Sequence, residues 1–151
     1  MPNLPLKVGK ALSAFICSKA INQEEKFGIQ SLLEVFGEAL EVDNEAKIDA
    51  ITALSGTGPA YFCYLVEVLE KAAKKYGFSD KEARKIIKTT FCGTAELMNK
   101  ENLEAADLRA KITSKGGTTK AAIEFLEKKK FEEIMIDAVE SARKRAEELN
   151  Q

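Results

Sequence analysis

The chain has 151 residues, with 23 Lys plus Arg against 24 Asp plus Glu, no histidine, and a formal net charge of −1. A hydrophobic fraction of 45% and a charged fraction of 31% describe a soluble globular protein of one domain or slightly more. They exclude a basic field for nucleic acid and any apolar run able to span a bilayer.

Met1-Pro2-Asn3-Leu4-Pro5 is an extended, turn-like start, because two prolines oppose helix there. Ala11 to Cys17 reads as a strand with apolar residues on both faces, the pattern of a strand buried inside a sheet. Asn22-Gln23-Glu24-Glu25 is a capping-box start. Phe27, Ile29, Leu32, Leu33 and Phe36 follow at helical spacing, with Gly37 as the stop. Glu38 to Val42 reads as a second short strand. Two short strands joined by one helix do not make a stable sheet. Residues 1–44 therefore read as the end of an α/β sheet whose other strands are missing, the alternative being a small self-contained α+β edge.

From Asp43 onward the pattern is helical. A short helix carries Ala46, Ile48, Ile51, Thr52 and Leu54, capped by Asp43 or Asn44. Pro59 opens a long helix to about Tyr76, ended by Gly77. Its first half, Tyr61 to Leu69, is apolar nearly all round, which places it in a core or at a subunit interface. Ser79-Asp80-Lys81-Glu82 is a second capping box, opening a helix with Ala83, Ile86, Ile87, Thr90, Phe91, Thr94, Leu97 and Met98 along one stripe. Helices are expected from Ala105 to Ile112, from Thr118 to the run Lys128-Lys129-Lys130, and from Phe131 to Leu149. The fold class is mainly α, an all-helical part at residues 45–151 after a strand–helix–strand unit. A subunit interface over the Pro59 helix makes a homodimer the expected assembly, with a monomeric bundle as the alternative.

Without histidine, any chemistry must use carboxylates, lysines, tyrosines, hydroxyls, backbone amides or a cofactor. There is no nucleophile elbow, no GxGxxG and no P-loop. Cys17, Cys63 and Cys92 are odd in number and widely spaced, which argues against a disulfide framework or a metal site and fits a reducing cytoplasm. No signal-peptide apolar segment follows Met1. Tyr61 and Tyr64 read as packed rings more readily than as acids. Glu67 and Glu70 read as solvated salt-bridging residues, and Lys128–Lys130 as a solvated helix end.

Two glycine-hydroxyl stretches stand out. Thr113-Ser114-Lys115-Gly116-Gly117-Thr118-Thr119 runs straight into a helix. The first N–H groups of a helix lack internal partners and its dipole favours negative charge there. Such a start is a natural seat for a small anion such as a carboxylate, the alternative being a helix cap that binds nothing. Leu54-Ser55-Gly56-Thr57-Gly58-Pro59-Ala60-Tyr61 is a second loop of the same type.

Together these stretches, with Leu108-Arg109 and the opening Met1-Pro2-Asn3-Leu4-Pro5, resemble the C-terminal part of pyrroline-5-carboxylate reductase, and the resemblance runs through essentially the whole chain in order. It implies that residues 1–44 are the tail of a Rossmann-type domain. It also implies that residues 45–151 are a helical dimerisation and substrate-binding domain, in a dimer or higher homo-oligomer. The implied reaction is NADPH- or NADH-dependent reduction of 1-pyrroline-5-carboxylate to L-proline, in the cytoplasm. On that resemblance Ser114, Gly116, Gly117, Thr118 and Thr119 would hold the substrate. Ser55, Gly56, Gly58, Pro59 and Ala60 would line the nicotinamide side. No catalytic residue and no metal ligand is assigned. The sequence departs from the family pattern at Leu4, where threonine is usual, and at Lys115, where proline is usual. It also lacks the dinucleotide fingerprint, which implies little or no activity for this chain alone. The alternative is a non-catalytic helical oligomerisation module derived from the family.

Overall fold

The computed structural model describes residues 1–150, which fall into two compact units. The first comprises Met1–Tyr61 with the C-terminal segment from Met135, and the second Phe62–Ile134.

In the first unit, the extended, turn-like start is observed: Pro2 bridges Ser13, Asn3 is extended, and a 3₁₀ turn follows at Leu4–Val8. Pro5 lies at the beginning of the turn, where its missing N–H leaves no hydrogen bond unmade. Strand β1 (Ala11–Phe15) ends two residues before Cys17, the end read from its apolar run. Helix α1 (Gln23–Glu34) begins on the expected capping box: the Glu25 N–H donates to Asn22 Oδ1 (3.0 Å) and the Asn22 N–H to Glu25 Oε2 (2.9 Å). Strand β2 (Gly37–Glu41) pairs with β1 in parallel, Ala11 opposite Gly37 and Phe15 opposite Glu41.

Gly37 does not stop the helix, as the sequence suggested; it opens β2. Its φ is +146°, and a side chain there would overlap the Ala11 carbonyl oxygen and lie 2.5 Å from the Ala11 nitrogen. Only glycine permits this approach of the strands. On its other edge β1 meets the chain start. Pro2 bridges Ser13, the Met1 amino group donates to the Ala14 carbonyl (2.7 Å), and the Ala14 N–H donates to the Met1 carbonyl (2.9 Å). So β1 is bonded on both sides, and Ala11, Ser13 and Ala14 are buried, as its apolar pattern requires. Lys26 on α1 pairs with Glu41 on β2 at 2.7 Å, and the hydrogen bond to that carboxylate raises the lysine pKa.

Helix α2 (Glu45–Ile51) is capped by Asn44, whose Oδ1 accepts the Lys47 N–H at 3.0 Å. It continues into one π-wound turn, Thr52–Gly56, in which the Thr57 N–H reaches back five residues to the Thr52 carbonyl (2.9 Å). Helix α3 (Gly58–Lys75) then runs into the second unit.

There α4 (Asp80–Glu101) starts on the Ser79–Glu82 capping box and closes on Asn102 in a left-handed conformation. Lys74 pairs with Asp80 at 2.5 Å across the α3–α4 turn, and that hydrogen bond holds the Asp80 carboxyl below its usual range. The Phe62 and Phe91 rings lie 5.8 Å apart and join α3 to α4. Helices α5 (Ala105–Ile112) and α6 (Thr118–Lys128) follow, and α7 (Phe131–Leu149) returns to the first unit. There the Asn150 side chain donates to Asp49 Oδ1 at 2.7 Å. Arg143 is braced by Glu140 and Glu147, and Arg145 by Glu148.

The α3 girth is not part of a core in this chain. Phe62 is 55% and Tyr64 65% exposed, and Leu65, Val68 and Leu69 are exposed beside them. The buried hydrophobic residues of the second unit are small or few: Ala73, Ala83 and Leu108. Neither Glu67 nor Glu70 makes an ion pair among the described residues, against the salt-bridging role read from their spacing.

Candidate functional site

The stretch Ser55–Ala60 is not an open loop, as the glycines suggested. It is the second half of the π turn followed by the first turn of α3. Winding the backbone wider than an α-helix releases local bonding groups, and such turns often mark functional positions. Three hydroxyls lie here. Thr52 Oγ1 donates to the Ile48 carbonyl (2.8 Å) and Thr57 Oγ1 to the Thr52 carbonyl (3.1 Å). Ser55 Oγ differs: it accepts from Asn3 Nδ2 at 2.9 Å and donates to no group among the described residues.

Asn3 is itself fixed, because its Oδ1 accepts the Leu12 N–H of β1 at 3.1 Å. A side chain on Gly56 would come within 2.6 Å of the Met1 thioether methyl, so the chain start lies against this turn. Gly58 is buried, Pro59 half-buried and Ala60 exposed. Tyr61 is a half-buried ring whose hydroxyl donates to the Ala53 carbonyl at 3.1 Å, the structural role expected of it.

The second stretch lies between α5 and α6. Thr113 ends α5, its N–H and hydroxyl both returning to the Arg109 carbonyl at 3.1 and 2.6 Å. Gly116 has φ +75°, a conformation that favours glycine. Gly117 is the N-cap of α6, and its N–H donates to the Ser114 carbonyl at 3.0 Å. A side chain on Gly117 would overlap the Ser114 hydroxyl oxygen, so Gly117 leaves the space that this hydroxyl occupies.

No side chain caps α6. The N–H groups of Thr118, Thr119 and Lys120 have no partner among the described residues. The start of this 11-residue helix thus presents unpaired donors at the positive end of its dipole. Ser114 and Thr118 are exposed and Thr119 is half-buried, each with a hydroxyl. Beside the stretch, Arg109 on α5 and Glu127 on α6 face each other at 3.9 Å, and Arg109, Ala110 and Thr113 line a groove of about 300 Å³.

Chemically this second stretch can receive an anion through several N–H donors at once, each charge-assisted hydrogen bond contributing about 1.5–3 kcal/mol. None of Ser114, Gly116, Gly117, Thr118 and Thr119 has a side chain that titrates near neutral pH, so the protein's side of that grip does not depend on pH. The structure brings Ser114, Gly116, Gly117, Thr118 and Thr119 together at one helix start, and Ser55, Gly56, Gly58, Pro59 and Ala60 along another. The two stretches belong to different units. Asn3 enters the site picture only through the fold, since its partner Ser55 lies 52 positions away. Among the described residues no cluster of His, Cys, Asp or Glu is placed to hold a metal ion, and no helix is long and apolar enough to cross a membrane.

Comparisons with known proteins agree in kind. Residues 45–149 match the family model described as pyrroline-5-carboxylate reductase dimerisation. Pyrroline-5-carboxylate reductase 2 of Bacillus subtilis is 34% identical over the whole chain, which spans 54% of that protein. The Pseudomonas aeruginosa pyrroline-5-carboxylate reductase is 36% identical over 99% of the chain, spanning 55% of its own length. Among solved structures, a pyrroline-5-carboxylate reductase from Coxiella burnetii superposes with a TM-score of 0.94 at 33% identity, over 99% of this chain and 55% of that one. The pyrroline carboxylate reductase of Plasmodium falciparum, solved with NADP bound, gives 0.84 at 32% identity over 100% of this chain and 62% of that one. The chain thus spans about half the length of the curated relatives it matches.

Proposed function

The chain belongs to the pyrroline-5-carboxylate reductase dimerisation family, and from that premise we propose that it is the C-terminal part of an enzyme reducing 1-pyrroline-5-carboxylate to L-proline. The observation that carries this reading is the uncapped start of α6, with its unpaired N–H groups beside two threonine hydroxyls. The substrate carries one carboxylate on a small ring. That carboxylate is seated by the N–H groups of Thr118 and Thr119 and the Ser114 hydroxyl. Thr119 has a half-buried hydroxyl, and it donates to or accepts from the ring nitrogen.

A nicotinamide cofactor, NADPH or NADH, supplies the hydride to the C=N carbon when bound. The Ser55–Ala60 stretch suits the nicotinamide end of such a molecule. Ser55 has a hydroxyl hydrogen not used by the protein, and Gly56, Gly58 and Ala60 have little or no side chain to obstruct a flat ring. The sequence has no glycine-rich phosphate loop, and none of its residues is assigned to the pyrophosphate. Pro59 stiffens the start of α3 and keeps the stretch in one conformation.

The assembly we propose is a homodimer or higher homo-oligomer in which the bare α3 face is covered by a second copy. The domain division we propose remains residues 1–44 as the end of the nucleotide-binding domain and 45–151 as the helical domain. We propose a cytoplasmic location, which the three free thiols favour.

The test has two parts. The ¹⁵N-labelled 151-residue chain is titrated with L-proline, and the amide signals of Gly117, Thr118 and Thr119 should shift and saturate together. A chimera that places this chain after the N-terminal portion of the Pseudomonas aeruginosa relative should oxidise NADPH with 1-pyrroline-5-carboxylate. Unmoved α6 amides together with an inactive chimera would end this reading.

A further inference from the structure

Asn3 and Ser55 come from the two ends of the first unit's fold, yet one side chain clasps the other at 2.9 Å. The direction of that hydrogen bond is fixed by the backbone. The Leu12 N–H is a donor, so the Asn3 atom 3.1 Å from it is the carbonyl oxygen. The other end of the carboxamide is then the NH₂ group, and Ser55 Oγ must accept from it. A hydroxyl that accepts in this way keeps its own hydrogen for a different partner. The neighbouring Thr52 and Thr57 give theirs to backbone carbonyls of the same turn, and Ser55 gives its to none among the described residues.

We infer that Asn3 is a positioning residue: by donating to Ser55 Oγ it holds the Ser55 oxygen and leaves the hydroxyl hydrogen free to donate to an oxygen of the nicotinamide carboxamide. The inference rests on the reductase reading and adds a residue to it. The strand β1 holds Asn3, Asn3 holds the hydroxyl, and the hydroxyl holds the ligand's amide oxygen. The device needs a side chain that can accept from a backbone N–H and donate from the same planar group, which restricts it to asparagine or glutamine among the amides.

Asn3→Asp is the informative variant. It keeps the shape and can still accept the Leu12 N–H, but an ionised carboxylate cannot donate. Ser55 then turns its hydrogen inward to the carboxylate and faces the ligand as an acceptor. In the chimera, Asn3→Asp and Ser55→Ala should each raise the KM for NADPH about ten-fold, with kcat and the KM for 1-pyrroline-5-carboxylate changed less than three-fold. The double variant should be no worse than either single one, because both remove one interaction. A readout independent of activity comes from the 151-residue chain. The side-chain NH₂ signals of Asn3 should exchange slowly with solvent and lose that protection in Ser55→Ala.

Free exchange of the Asn3 NH₂ in the unaltered chain overturns the inference whatever the enzyme does. An active chimera in which Asn3→Asp leaves the KM for NADPH unchanged overturns it alone and leaves the reductase reading standing. A chimera with no activity, together with α6 amides that ignore L-proline, overturns the reading and the inference with it.

Discussion

Gly117→Ala separates ligand recognition from folding at the α6 start. Gly117 has φ −80° and ψ 168°, an extended conformation that any residue adopts, so alanine brings no backbone strain. Its new methyl would overlap the Ser114 hydroxyl oxygen and sit 3.3 Å from the Ser114 carbonyl oxygen. The first is the free end of a rotatable side chain and can turn away; the second must give by a few tenths of an ångström. The loss of stability should stay within about 1 kcal/mol, or about 2–4 °C in Tm for a chain of this size. The carboxylate seat suffers more. Turning Ser114 away removes one charge-assisted hydrogen bond, about 1.5–3 kcal/mol, which is roughly ten- to a hundred-fold in Kd. The assay is an L-proline titration of the labelled chain beside a thermal melt. Gly116→Ala is the matched control. It has open space around it but φ +75°, so it should lose about 1–2 kcal/mol of stability by strain and leave the seat's donors in place. If Gly117→Ala binds L-proline within two-fold of the unaltered chain, Ser114 and the space beside Gly117 are not part of the seat.

Two further outcomes are expected. Leu65→Asp combined with Leu69→Asp, on the bare face of α3, should convert the chain from an oligomer to a monomer in sedimentation velocity while its far-ultraviolet spectrum stays helical; a species of unchanged mass would show that this face is not the contact. Carboxylates held below their usual range should contribute to the acid limb of stability: Asp43 by its hydrogen bond from Lys47, Asp80 by that from Lys74, Glu82 by those from Ser79, and Glu140 by those from Arg143. A depressed folded-state pKa contributes stability above the unfolded value, about 4, that is lost as pH falls through the folded value. Melting temperature should therefore hold from pH 7 to about 5 and fall below about 4, and Glu82→Gln should have a shallower acid limb; an identical limb would remove Glu82 from that account.

The helix starts were legible because their causes are local. Asn22 with Glu25 and Ser79 with Glu82 are each three residues apart, and both boxes form. The α6 start was legible for the same reason, since two glycines followed by threonines leave an uncapped helix end wherever the chain folds. The π turn was not. Its defining bond joins Thr57 to Thr52, and no residue type announces a reach of five over one of four. Gly37 was misread because a glycine after an apolar helix looks like a stop, and only the closeness of Ala11 shows why it must be a glycine at a strand's first position. The apolar girth of α3 could be read, but not its surroundings, because a buried helix and an interface helix carry the same pattern.

Each stretch, taken by itself, offers hydrogens to a ligand. At α6 they are backbone N–H groups, and at the π turn a hydroxyl that accepts from Asn3 and keeps its own hydrogen. Donors select electron-rich oxygens, which on the proposed reading suits a carboxylate at the α6 start and a carboxamide oxygen at the π turn. It also suits a chain with no histidine. On the proposed reading the hydride belongs to the cofactor and the proton on the ring nitrogen comes from solvent, or arrives with the substrate as its iminium form, so these residues need only orient the two molecules. Neutral donors fixed by backbone geometry do that without titrating, and the two stretches supply them from a turn and a helix start that the chain's own hydrogen bonds already hold in place.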